Sequence, residues 1–125
     1  MITDIEIAEA KARTNYVLDE PHHEHNDCIR IAYEWLDAQK IRKTFPKYGC
    51  SCKGLIERWA GRYVSQSDVA VAAELHPLIK GKYPRLNIST RLVEPSAERL
   101  KNIGEAFKHS NYRESHQPKD YDLQE

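Results

Sequence analysis

One run of apolar residues at helical spacing constrains the fold of this chain more than any other feature. Its members lie three and four positions apart: Cys28, Ile31, Ala32, Trp35 and Leu36. This spacing puts all five on one face of an α-helix, and Asn26 or Asp27 can cap that helix at its N-terminus. A helix with so wide an apolar face must bury it against other elements, so the sequence predicts the central helix of a small core.

Further helices are predicted on both sides of this one. Thr3 and Glu6 match a capping box, which predicts a first helix over about 4–14. Apolar residues from Leu55 onward predict a third helix that ends near Gly61 or Tyr63. The chain therefore belongs, on this evidence, to the mainly α class of small single-domain helical bundles.

The second half of the chain has less regular patterns. Ser65 or Ser67 can cap a fourth helix, DVAVAAELH, which Pro77 ends. Residues 86–93, LNISTRLV, fit a strand and a short helix about equally well. After Pro95, the segment AERLKNIGEAFKH predicts a last helix.

Length and composition set the domain organisation. The chain has 125 residues, which suits one domain, and we assign residues 1–109 to a single helical domain and residues 110–125 to a flexible polar tail. No apolar run approaches the roughly 18 residues that a membrane span requires. The acidic, amphipathic start lacks the pattern of a signal peptide, so we expect a cytoplasmic protein without a membrane partner.

Charge is distributed unevenly along a chain whose net charge is zero. Residues 1–37 hold nine acidic and three basic residues, a net charge of −6. Residues 38–91 hold eleven basic and three acidic residues, a net charge of +8. Two explanations remain open at this point: the middle of the chain binds a polyanion, or the acidic and basic elements pack on each other.

Catalytic motifs are absent from the sequence. It contains no GxxxxGK[ST] phosphate loop, no GxGxxG, no GxSxG and no HExxH. Binding is therefore a better expectation than catalysis, and we expect a protein that is not an enzyme.

A structural zinc site is an alternative use of the histidines and cysteines, although no cofactor is the first expectation. The candidate ligands are His22, His25, Cys28, Cys50 and Cys52, with His23 beside them. Zn²⁺ prefers four tetrahedral nitrogen and sulfur ligands, which these residues can supply. The spacing of Cys50 and Cys52 is unusual for such a site, and Cys28 lies on the apolar helix face, where a free cysteine acts as a core residue.

Nucleic-acid binding is predicted from the basic middle of the chain. The residues expected to contact DNA are Lys40, Arg42, Lys43, Lys47, Lys53, Lys80, Lys82, Arg85, Asn87 and Arg91. Phe45 and Tyr48 lie among the first five of these, where they can pack or stack. The fourth helix and residues 86–93 resemble the two helices of a helix-turn-helix unit. If residues 86–93 form a strand instead, a short β-hairpin wing is the alternative.

Protein binding is the other functional hypothesis. The acidic first third can present a surface to a basic partner, to the chain's own basic middle or to that of a second copy, which would make a homodimer. Trp59, Tyr63 and Tyr83 are candidate hot spots if they are exposed.

The runs IAYEWLDAQK and GRYVSQSDVAVAAELHP resemble small proteins encoded by bacteriophages and prophages of enteric bacteria. The resemblance covers about the middle two-thirds of the chain and transfers no functional residues. It implies either a phage regulator that binds DNA or an inhibitor or adaptor that acts on a host or defence nucleic-acid-processing factor.

Overall fold

The computed structural model describes all 125 residues and confirms a small helix-rich domain. It has five α-helices, two 3₁₀ turns and two two-stranded sheets. The α-helices are α1 (Asp4–Arg13), α2 (Asn26–Asp37), α3 (Lys53–Ala60), α4 (Gln66–Leu75) and α5 (Ser110–Arg113). The strands are β1 (Gly81–Lys82), β2 (Arg85–Leu86), β3 (Val93–Glu94) and β4 (Leu123–Gln124). No helix combines the length and the apolar character needed to cross a membrane.

Helix α2 is the centre of the core, as its apolar spacing predicts. Its apolar face is fully buried and packs chiefly against α4. Most of α4 is buried, and its Ala-rich sequence lets the two helices approach closely. The cap of α2 differs from the prediction, because His25 rather than Asn26 or Asp27 occupies the N-cap position and its Nδ1 accepts from the Asp27 N–H at 2.9 Å.

The caps of the flanking helices agree with the sequence. Thr3 and Glu6 form the predicted capping box of α1, and Ser65 caps α4 with Asp68 completing a second box. Helix α3 ends at Ala60, where Gly61 adopts a left-handed conformation with φ of 59°. These ends are confirmed because capping depends on residues within one turn of each other.

Residues 86–93 do not form a helix, and the predicted recognition helix of a helix-turn-helix unit is wrong. Strands β1 and β2 form an antiparallel hairpin, and Ile88 makes an isolated antiparallel bridge with Ile41. The backbone around Ile88 is thus bonded to residues 40–42, far away in sequence. Those long-range hydrogen bonds replace the local bonds that a helix would require.

The predicted last helix is also absent. A 3₁₀ turn over Ala97–Leu100 is followed by irregular turns, and Phe107 has a positive φ of 65°. The N–H of Phe107 donates to the carbonyl of Ala60 at 2.8 Å, and that of His109 donates to Gly61 at 2.8 Å. This segment closes over the C-terminal end of α3, so its apolar residues reach the core without a helix.

Residues 110–125 are part of the domain, which corrects the expectation of a flexible tail. Strand β4 pairs in parallel with β3, and Tyr121 is 8% exposed. The indole N–H of Trp35 donates to the Tyr121 hydroxyl at 2.9 Å inside the core. Strand pairing and a buried aromatic residue therefore anchor a segment whose composition is mostly polar.

Candidate nucleic-acid interface

The two basic segments of the chain form one continuous surface, which we call the basic surface and define as residues 40–53 and 80–91. The bridge between Ile41 and Ile88 joins them. On either side of it the N–H of Arg42 donates to the Asn87 carbonyl at 2.7 Å and that of Ser89 donates to the Lys40 carbonyl at 2.7 Å. Residues some 45 positions apart in sequence are thereby held side by side.

Asn87 is the buried centre of this junction. Its Oδ1 accepts from the backbone N–H of Lys80 at 2.7 Å. Its Nδ2 donates to the carbonyls of Arg42 at 3.1 Å and Leu78 at 3.3 Å. The side chain is committed to the protein backbone and is only 6% exposed as a residue. Asn87 was predicted to contact DNA, but in this structure it holds the surface together.

A second set of contacts fixes the far end of the 40–53 loop on the hairpin. The N–H of Cys50 donates to the Pro84 carbonyl at 3.0 Å, and Arg85 Nε donates to the Pro46 carbonyl at 3.3 Å. Gly81 has a φ of 103°, and a Cβ at this position would lie 2.6 Å from Cε1 of Phe45. The glycine is therefore required both for the backbone conformation and for the close approach of the ring.

Nine basic residues and no acidic residue lie on the basic surface. The basic residues are Lys40, Arg42, Lys43, Lys47, Lys53, Lys80, Lys82, Arg85 and Arg91. Lys53 is paired with Glu57 one helical turn further on. The other eight have no carboxylate oxygen within 4.0 Å, and seven of them are exposed.

Arg30 and Arg99, both outside the basic surface, pair with four carboxylates of the acidic first third. Arg30 pairs with Asp4 and Asp27 at 2.6 and 2.8 Å. Arg99 joins Glu34 and Asp37 of α2 at 2.9 and 3.0 Å. These four carboxylates are thus paired with arginines outside the basic surface, and the only ion pair of the basic surface is that of Lys53 with Glu57.

Arg99 also binds the carboxylate of Glu125, the last residue. Its hydrogen bonds hold the pKa of Glu125 below the usual value. At Asp37, partial burial raises the pKa of the carboxyl group. Hydrogen bonds from His76 and Arg99 outweigh this effect, so the pKa of Asp37 also lies below its usual value. These ion pairs stabilise the docking of the C-terminal segment on α2.

Two exposed aromatic rings lie among the unpaired cations. Phe45 is 45% exposed and Tyr48 is 77% exposed. Phe45, Lys82 and Arg85 line a shallow depression of about 290 Å³. Lys47 Nζ lies 5.6 Å from the centroid of the Tyr48 ring, within the range of a cation–π contact. The aromatic hot spots proposed from sequence differ, since Trp59 and Tyr83 are buried and Tyr63 is half-buried.

The candidate zinc ligands do not assemble into one site. His22 contacts Glu24 at 3.1 Å, His25 caps α2, and Cys28 is buried with its Sγ 3.5 Å from the Tyr63 carbonyl oxygen. No group of three or more histidine, cysteine, aspartate or glutamate side chains is placed where it could hold a metal ion.

The three thiols differ in their chemistry. Burial raises the pKa of Cys28 to about 11. A hydrogen bond from the Cys52 thiol lowers the pKa of Cys50, and the same bond together with complete burial raises the pKa of Cys52. Cys50 is the only one of the three that is not fully buried, so it is the thiol with the greatest reactivity.

A partly buried chain of polar side chains, which the sequence did not indicate, joins the loop after α1 to α4. His23 Nδ1 donates to the fully buried carboxylate of Asp68 at 2.8 Å, and His23 Nε2 lies 2.9 Å from the Tyr16 hydroxyl. Burial, reinforced by the charge of Asp68, raises the pKa of Tyr16, so this hydroxyl is not activated as a nucleophile. The chain is a structural tie, because Asp68 also accepts from the Ser65 N–H at 3.1 Å.

Comparison with family models, curated proteins and solved structures finds no match to this chain.

Proposed function

We propose that this protein is a non-enzymatic DNA-binding regulator that holds the phosphate backbone on its basic surface. The observation that carries the proposal is the set of eight basic side chains without an acidic partner on two segments that the fold joins. Cations gathered in this way repel one another, and a polyanion relieves that repulsion while releasing its own counterions.

The hairpin of β1 and β2 takes the place of the wing in this proposal. Lys80, Lys82 and Arg85 are exposed on or beside it, while Lys43 and Lys47 extend the same charged surface along the loop. Backbone phosphate contacts of this kind position a protein on nucleic acid but do not read the sequence. We therefore expect affinity that depends strongly on salt and only weakly on base order. We also propose that the protein is cytoplasmic, because DNA is accessible there in a bacterial host.

A charge-reversal pair of variants tests the proposal directly. Lys40, Lys43 and Lys82 are changed to Glu in one variant. Lys101, Lys108 and Lys119, which are exposed and belong to neither segment of the basic surface, are changed to Glu in the matched control. Both variants alter the net charge equally. Binding to a fluorescein-labelled duplex is measured by anisotropy at about 50 mM salt and across a salt titration.

We expect the wild type and the control to bind with a log–log salt slope of about −5, as roughly six phosphate contacts would give. The first variant should lose binding while circular dichroism shows an unchanged fold. A wild-type protein that ignores DNA at low salt would refute the proposal. Equal loss of binding in both variants would show that net charge, and not this surface, attracts the DNA.

Protein binding is the second candidate, because exposed apolar side chains accompany the cations. Ile41, within the basic surface, is 39% exposed, and Leu78, two residues before its second segment, is 60% exposed. An acidic surface on a host or defence nucleic-acid-processing factor would bury them together with the charges. Recovery of a stoichiometric partner by a wild-type bait, and not by the Lys40, Lys43 and Lys82 variant, would favour inhibition or an adaptor role over DNA binding.

A further inference from the structure

The exposed aromatic residues of the protein are concentrated on the basic surface. Phe45, Tyr48 and Phe107 are the aromatic side chains with large exposure, and the first two lie three residues apart within the 40–53 loop. Both tryptophans are buried, so the fold does place its largest rings in the core. Rings that stay in water between lysines contribute little to the stability of the domain, and their faces are accessible to a ligand.

The ring of Phe45 lies against the hairpin. One edge of the ring is close to Gly81, and Phe45 also borders the shallow depression that contains Lys82 and Arg85. The guanidinium of Arg85 is itself positioned by its hydrogen bond to the Pro46 carbonyl. A flat apolar ring and two cations thus converge on a space of about 290 Å³.

The geometry points to single-stranded nucleic acid as the ligand of the basic surface, with bases stacked on Phe45 and Tyr48 and phosphates held by the neighbouring lysines and Arg85. This inference rests on the proposed function and specifies its substrate class. The faces of the bases are covered by their neighbours in a duplex, and only their edges are accessible in the grooves. A single strand exposes the faces, and an aromatic ring beside a cation is the usual platform for them.

The architecture of the surface supports the same choice. It is built from an irregular loop and a hairpin whose strands are two residues long, and residues 87–92 are not helical. Only Lys53, the first residue of α3, lies on a helix, and it is paired with Glu57, so no helix presents the unpaired cations to a major groove. Tyr48 supplies a second platform, and the contact of Lys47 with its ring places a cation where a phosphate of the same strand can follow.

Anisotropy titrations of the full chain test this inference. The probes are fluorescein-labelled dT15, U15 and a 15-base-pair duplex, each measured at about 50 mM salt and across a salt titration, and the variants are Phe45→Ala and Tyr48→Ala. Leu78→Ala is the matched control, because Leu78 is 60% exposed near the surface but cannot stack on a base. Tyr48 is so exposed that its replacement leaves the fold intact, which keeps the test valid if Phe45→Ala is destabilised.

We expect dT15 or U15 to bind at least about fivefold more tightly than the duplex, and each aromatic variant to weaken that binding about tenfold. Duplex binding should change less than about twofold, and the salt slope should stay constant because no cation is removed. The preference between dT15 and U15 distinguishes a DNA strand from an RNA strand, which differ in the sugar and in the thymine methyl group.

Three results would overturn the inference in distinguishable ways. Tighter binding of the duplex, or aromatic variants that bind dT15 and U15 as well as Leu78→Ala does, would remove the stacking role and leave the proposed DNA-binding function standing. Absence of binding to all three probes at about 50 mM salt, where electrostatic binding is strong, would refute the inference and the proposed function together.

Discussion

Replacement of Asn87 by alanine should destabilise the protein and loosen the basic surface at the same time. The change removes three hydrogen bonds and leaves the N–H of Lys80 and the carbonyls of Arg42 and Leu78 without their side-chain partner. Each such bond contributes a net 0.5–1.5 kcal/mol, so the free energy of unfolding should fall by about 3 kcal/mol. Asn87→Asp should be at least as harmful, because it places a carboxylate oxygen against two carbonyl oxygens.

Urea unfolding followed by circular dichroism measures this loss. The midpoint should fall while the slope of the free energy with urea stays constant, since a constant slope identifies a change of stability alone. Asn102→Ala is the matched control. Asn102 is exposed and its side chain makes no hydrogen bond in the structure, so the stability should change by less than about 0.5 kcal/mol.

The alternative role of Asn87 makes the opposite prediction. If its amide contacts base edges, as the sequence alone indicates, Asn87→Ala will keep the stability of the control and lose affinity for DNA. That combination would refute the structural role derived from its burial. Loss of stability together with a proportionate loss of binding would support it.

Three further changes test other parts of the structure. Tyr121→Phe leaves the buried indole N–H of Trp35 unpaired and should lower the free energy of unfolding by about 1–3 kcal/mol, whereas no effect would indicate that the C-terminal segment is detached. The pKa of Glu125 is lower in the folded protein than its ordinary value of 4.5. Its ion pair with Arg99 therefore stabilises the fold fully above about pH 4.5, and this contribution is lost as the pH falls through the lowered pKa. Arg99→Leu should therefore make acid unfolding less steep below about pH 4.5, and an unchanged pH profile would contradict the ion pair. Iodoacetamide should alkylate Cys50 well before the other two thiols at pH 8, as peptide mass mapping would show; labelling of a buried cysteine first would be inconsistent with the burial and the pKa directions.

The elements that the sequence predicted correctly depend on short-range chemistry. The apolar spacing of α2, the capping box of Thr3 and Glu6 and the Ser65 cap of α4 all involve residues within one or two helical turns. The elements that it predicted wrongly depend on distant partners. Phe107 and His109 bond to the end of α3, which is incompatible with the helix that their own segment favours.

The sequence by itself determined which residues carry the charge of this protein and that the central helix would be buried. It also located the basic 40–53 and 80–91 segments and the aromatic residues Phe45 and Tyr48 within the first of them. Only the tertiary structure decided that these segments meet through the bridge of Ile41 and Ile88, and that Asn87 belongs to the junction. The tertiary structure also decided which basic side chains have acidic partners, because ion pairing depends on distance in space and not on position along the chain.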